Sequence, residues 1–151
     1  MKTQKYIIRS LKYLVQLLVL LAAVFLLMEL TGTARAPFAE MLFSLRGVLL
    51  CVAAVLLAAA YPAFGYVKRA VAGNLTENLR QVEEAFEMGN YQLESEEHGK
   101  LIFRAKNPLR RVVMLGEDPV AVTGADGQII LEGHRKQVAM AEFRLKSLIR
   151  A

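Results

Sequence analysis

The chain of 151 residues contains one cysteine, two histidines and no tryptophan. A lone Cys51 excludes an intrachain disulfide and any zinc site built on paired thiolates. His98 and His134 stand far apart and belong to no H-x-x-x-H or HExxH pattern, so both read as surface histidines. Neither a GxGxxG or Walker-type phosphate loop nor a GxSxG elbow is present. Glycine does cluster in Gly124-Ala125-Asp126-Gly127, but apolar strand-like runs flank it, which makes it a hairpin turn. The expectation is therefore a non-enzyme with no catalytic residues, no cofactor and no metal.

Charge is also missing, and its absence is the most informative. Gly47 to Val67 carries none, and Leu14 to Met28 contains Gln16 as its one polar residue. A helix needs about 20 apolar residues to cross a bilayer core of roughly 30 Å. The sequence thus predicts a transmembrane α-helical hairpin, with spans at about 13–30 and 47–67 and an interfacial linker at 31–46. Cys51 falls inside the second span, where lipid would raise its pKa and leave it inert.

The formal net charge of +5 is unevenly spread. Lys2, Lys5, Arg9 and Lys12 precede the first span, and Lys68 and Arg69 follow the second. Between the spans only Arg35 and Arg46 stand against Glu40. The positive-inside bias then favours both termini in the cytoplasm of a bacterial inner membrane. From Lys68 onward acids and bases nearly balance, so the basic pI is a topology signal. No aromatic-basic stacking pattern is present, and no nucleic acid is expected as a partner. The N-terminus also fits a signal peptide with Ala34-Arg35-Ala36 at the cleavage site. A long apolar stretch and Pro37 just after the cut favour an uncleaved span.

Within the second span, Gly47, Cys51, Ala54, Ala58, Tyr61 and Gly65 recur alternately four and three apart. Such a seam of mostly small residues is a helix-packing face, first for the neighbouring span and then for a second copy. Pro62 predicts a kink near the cytoplasmic end. Glu29 sits near the outer rim of the first span, so there is no buried charge relay of the kind a transporter uses. The linker is apolar on most sides (Phe38, Met41, Leu42, Phe43, Leu45). It reads either as a short interfacial helix with Pro37 in its first turn or as an extension of the second span.

Residues 74–151 read as a small cytoplasmic α+β domain. Thr76 is placed as N-cap of an amphipathic helix with Leu75, Leu79, Val82 and Phe86 on one face, stopped by Gly89-Asn90. Its acidic face of Glu83, Glu84 and Glu87 reads as solvated surface, because the spacing is not that of a calcium loop. The Asn74-Leu75-Thr76 sequon carries no weight in a cytoplasmic segment. Five strands are predicted at 91–96, 100–104, 111–115, 120–123 and 128–131, separated by turns. A closing helix runs to Ile149, with Val138, Ala141, Leu145 and Leu148 as its stripe. The predicted order is α-β-β-β-β-β-α, an antiparallel meander with both helices on one face. In arrangement alone, and with no shared motif, this resembles the pleckstrin-homology-like modules of bacterial membrane proteins.

One charged constellation stands out: Arg104, Lys106, Arg110 and Arg111 around Asn107-Pro108, with Arg135 and Lys136 as further members. Cations beside an anionic leaflet gain about 1 kcal/mol each, which makes this a candidate lipid or partner surface. Ordinary solubilising charge, paired with the abundant glutamates, is the competing explanation. The sequence thus leads to an anchored interaction module or accessory subunit of a membrane complex. Its expected partners are membrane lipid and another membrane or cytoplasmic protein, with a homo-oligomer as a further option. The alternative is a small oligomeric transport or pore component.

Overall fold

The computed structural model describes residues 2–116 and 118–150. The chain forms two compact units, residues 1–63 and 64–151.

The first unit is helical. α1 (Lys2–Leu30) and α3 (Leu45–Gly65) are both long and apolar enough to cross a membrane. At 1.5 Å per residue, the 21 residues of α3 extend about 31 Å, close to the thickness of a bilayer core. Aromatic contacts and a long-range hydrogen bond help to tie this unit together. The rings of Tyr13 and Tyr61 stack at 3.8 Å, Phe25 meets Phe38 at 4.9 Å, and the Tyr6 hydroxyl donates to the Ala59 carbonyl at 2.7 Å.

Between the two long helices lies α2 (Phe38–Phe43), entered through Pro37. Ser44 is extended and separates α2 from α3. Its hydroxyl accepts the Gly47 N–H at 3.2 Å, satisfying one of the free donors in the first turn of α3. The linker therefore carries its own short helix and does not prolong α3.

The second unit is an open, five-stranded antiparallel sheet with helices. Its elements are β1 (Tyr66–Ala72), α4 (Leu79–Glu87), β2 (Tyr91–Glu97), β3 (Lys100–Ala105), α5 (Pro108–Val113), β4 (Val120–Ala125), β5 (Gln128–His134) and α6 (Arg135–Arg150). The strand order is β1-β5-β4-β3-β2. Leu101, Phe103, Val120, Val122, Ile129 and Leu131 alternate onto one face and are buried against Val82, Ala85 and Phe86 of α4 and Val138, Ala141 and Leu145 of α6. Phe86 stacks on Phe103 at 4.1 Å in the middle of this core. On the opposite face Ile102, Ala121, Thr123 and Ile130 are half-buried and Lys68 and Glu132 are exposed.

Two sequence expectations need correction. Residues 111–115, expected as a strand, belong largely to helix α5. Pro108 occupies the first turn, where its missing N–H costs nothing, and the Asn107 side chain accepts the Leu109 N–H at 2.9 Å. That cap outweighs the β preference of Val112 and Val113.

Conversely, the segment expected to finish the second span and lead to a domain starting at residue 74 is an edge strand. Tyr66 to Ala72 pairs residue by residue with His134 to Gln128, and Val71 is buried in the core. The predicted count of five strands is matched only because one strand was missed and one wrongly assigned. The order after α3 is β-α-β-β-α-β-β-α. A smaller difference concerns α4, which starts at Leu79: Asn74 Oδ1 accepts the Thr76 N–H at 2.9 Å and holds a turn there.

Because Phe103 is 1% exposed and stacked on Phe86, Phe103→Ala should cost about 3–5 kcal/mol, the range for emptying a buried aromatic site. Thermal unfolding of the detergent-solubilised chain followed by circular dichroism checks this. Ile102→Ala, on the open face, should cost clearly less.

Candidate functional site

Strand register gathers the chemistry at one end of the sheet. Tyr66 pairs with His134, Ala121 with Glu132, Phe103 with Val120, and Tyr91 with Ala105. The start of β1, the end of β5, the start of β4, the end of β3 and the start of β2 therefore share an edge. α5 and the first turn of α6 lie at that same end. Tyr66 follows α3 directly in the chain, with no linker between Gly65 and the first sheet residue.

The six basic residues singled out by sequence divide into three roles. Arg104 is engaged within the fold: it donates to Glu94 at 2.8 Å and to Asp118 at 3.4 Å. Both carboxylates, through the Glu94 hydrogen bond first, push its guanidinium pKa further up. Glu94 reaches it because β2 bulges between Leu93 and Ser95, which re-aims the inserted side chain. Asp118 is fully buried, and its second oxygen accepts the Ala105 N–H at 3.0 Å. This buried carboxylate therefore closes the β3 end rather than serving as a surface acid. Arg111 is likewise committed, its Nε donating to the Ala105 carbonyl at 2.6 Å.

Arg110 and Lys136 meet at one place. A cleft of about 270 Å³ lies between the end of α4, the start of β2, α5 and α6, and both residues line it together with Tyr91, Met88, Met140 and Arg144. The Arg110 guanidinium sits over the Tyr91 ring, 5.2 Å from its centroid. Lys106 and Arg135 are exposed and stand outside the cleft lining.

Tyr91 is 3% exposed and its hydroxyl has no hydrogen-bond partner among the described residues. Burial pushes its pKa above the usual 10.0, so it keeps its proton at neutral pH. Burial first, and then the charge of Lys136, hold His134 below its usual 6.5, so its imidazole adds no charge at pH 7.

Tyr91, Asp118 and Arg144 were not singled out by sequence. Arg144 was legible in principle, since Lys136, Met140 and Arg144 recur every four residues and so share a face of α6. Asp118 lies between Glu117 and Pro119 in a stretch whose residue types suit a turn, and only the fold reveals that its side chain is buried.

The small-residue seam also divides. Ala54 and Ala58 are buried, Cys51 is half-buried, and Tyr61 stacks on Tyr13. Gly47 serves a different purpose: a Cβ there would collide with the Met41 and Leu42 carbonyls where α2 turns into α3. Gly65 lies where the helix gives way to β1.

Among the described residues no group of three His, Cys, Asp or Glu side chains gathers as metal ligands do. No protein-family model, curated protein or solved structure matches the chain.

Removing the buried carboxylate should leave Ala105 N–H unsatisfied and Arg104 short of a partner, so Asp118→Ala is expected to cost about 1–3 kcal/mol in thermal or denaturant unfolding. Glu94→Gln breaks only a partly exposed pair and should cost under about 1 kcal/mol. Equal losses would show that the buried end of this network carries no special weight.

Proposed function

We propose that this chain is a non-catalytic, membrane-anchored display protein of the bacterial inner membrane, acting as an accessory subunit of a membrane complex. In this reading α1 and α3 cross the bilayer as a hairpin with both termini in the cytoplasm. The α+β domain then sits against the cytoplasmic leaflet and presents its surface to a protein or to lipid.

The observation that carries the reading is the junction itself: the apolar helix ends at Gly65 and the edge strand begins at Tyr66. A domain joined without a linker cannot drift far from its anchor, so its effective concentration at the surface is high. Orientation rests on the cations: Lys2, Lys5, Arg9 and Lys12 before the first span and Lys68 and Arg69 after the second, against Arg35 and Arg46 between them. A pleckstrin-homology-like role is part of the same reading, supported by an antiparallel sheet followed by a C-terminal helix.

The pore alternative has less support. It needs small faces free for a second copy, whereas Ala54 and Ala58 are already buried and Tyr61 is already stacked on Tyr13.

Two experiments test this. Reporter fusions after Arg150 and within residues 31–37 should give opposite signals, with the C-terminal one cytoplasmic; a periplasmic C-terminal reporter contradicts the orientation. Exchanging residues 1–65 for an unrelated two-span anchor, with β1 left intact, should preserve capture of partners from native membranes. Loss of capture by a correctly inserted and folded exchange protein would move the pore reading to first place.

A further inference from the structure

The cleft between the end of α4, β2, α5 and α6 has three cations and no acid in its lining. Arg110, Lys136 and Arg144 face it. None of the three forms an ion pair among the described residues, although the domain carries almost as many acids as bases. Their mutual repulsion is eased by the Tyr91 ring beneath Arg110 and by the C-terminal end of α4, where Arg144 lies against Gly89, yet no carboxylate lines the hollow between them. Tyr91 adds a second and independent sign. Its hydroxyl is buried without a partner, a state that native proteins seldom leave uncompensated. A hydroxyl that keeps its proton is a donor, and so are all three cations. The lining therefore carries four strong donors against two side-chain acceptors, the neutral amide oxygens of Asn90 and Gln137, and no carboxylate.

The surroundings narrow the class of anion. α5, which supplies Arg110, also carries Leu109, Val112 and Val113, which are 72%, 70% and 64% exposed. Their spacing places them together on one face of the helix. Exposed Lys106 and Arg135 lie at the same end of the sheet. A soluble anion has no use for an apolar knuckle beside its site, whereas a lipid presents a phosphoryl group and an acyl region side by side. This is also the end of the sheet at which Tyr66 receives the chain from α3.

From these features we infer that the cleft binds the phosphoryl group of an anionic phospholipid. Arg110, Lys136, Arg144 and the Tyr91 hydroxyl donate to its oxygens, and Leu109, Val112 and Val113 enter the leaflet beside it. At about 270 Å³ the cleft admits a phosphodiester with part of its glycerol. The inference deepens the membrane-surface reading and depends on it for the source of the lipid.

Met88 and Met140 both line the cleft, so their methyl groups are native probes, and Met28 in α1 is an internal control. The full chain in neutral detergent micelles, labelled at methionine methyls, would be titrated with three probes: dihexanoyl phosphatidylglycerol, dihexanoyl phosphatidylcholine and inorganic phosphate. The anionic lipid should shift the Met88 and Met140 signals saturably while Met28 stays still. The zwitterionic lipid should bind at least about fivefold more weakly, the factor that one cation near an anionic surface supplies.

Lys136→Gln with Arg144→Gln should weaken phosphatidylglycerol binding by about tenfold or more, since charge-assisted bonds are lost. Tyr91→Phe should weaken it by about fivefold without lowering the melting temperature, because the hydroxyl has no partner among the described residues. A purely structural tyrosine would show the opposite pair of effects.

Inorganic phosphate binding as tightly as the anionic lipid would overturn the lipid assignment. Absence of any saturable shift, or an affinity that survives all three substitutions, would overturn the site. The titration does not depend on topology, so a periplasmic C-terminal reporter would defeat the anchoring reading without touching the micelle result.

Discussion

The covalent step from Gly65 to Tyr66 constrains everything that follows it. A helix ends with its last four carbonyls lacking internal partners, and a strand has no internal partners at all, so the chain must find new ones at once. β1 finds them along β5, seven residues against seven, and thereby becomes an edge of the sheet. Once β1 is fixed there, the antiparallel alternation decides which loops lie at its starting end: the 106–119 segment with α5, the entry to α6 and the entry to β2. The basic cleft, the apolar knuckle of α5 and the Arg104–Asp118 closure all occupy the end at which the chain arrives from its apolar helix.

The two units differ in how openly the sequence declared them. The apolar helices were legible because a run without charge admits few alternatives, and the α4 and α6 stripes because Val82 and Phe86, or Val138, Ala141 and Leu145, recur with helical period. Tyr66 to Ala72 was hidden by its position. Its apolar start looked like the tail of the span and its Lys68-Arg69 pair like flanking charge, so a strand that needs β5 for its partner could not be seen locally. The 111–115 segment failed in the other direction: Val112 and Val113 spoke for a strand, while Asn107 and Pro108, read only as a break, were in fact the start of a helix.

The candidate site was legible as a composition and not as a geometry. Six basic residues were singled out, but sequence cannot tell a cation engaged by the fold from one left over. Arg104 and Arg111 close the β3 end, whereas Arg110 and Lys136 form no ion pair among the described residues and line the same hollow. Tyr91 belongs with the latter because β2 places its ring beneath Arg110. The seam in α3 shows a parallel division of labour. Its regular spacing suggested one role for six residues, yet Gly47 permits a tight turn from α2, Ala54 and Ala58 are packed inside, and Tyr61 stacks on Tyr13.

The most direct measurement compares the two ends of the sheet at a bilayer surface. Single spin labels at Leu109→Cys on α5 and at Asp126→Cys in the β4–β5 turn, each in a Cys51→Ala background, would be read in proteoliposomes containing phosphatidylglycerol. Seven-residue strands separate these ends by roughly 20 Å. The account predicts that the Leu109 label is reached by oxygen and shielded from an aqueous nickel chelate, while the Asp126 label is open to the chelate. The reverse pattern, or full aqueous exposure at both positions, would contradict it.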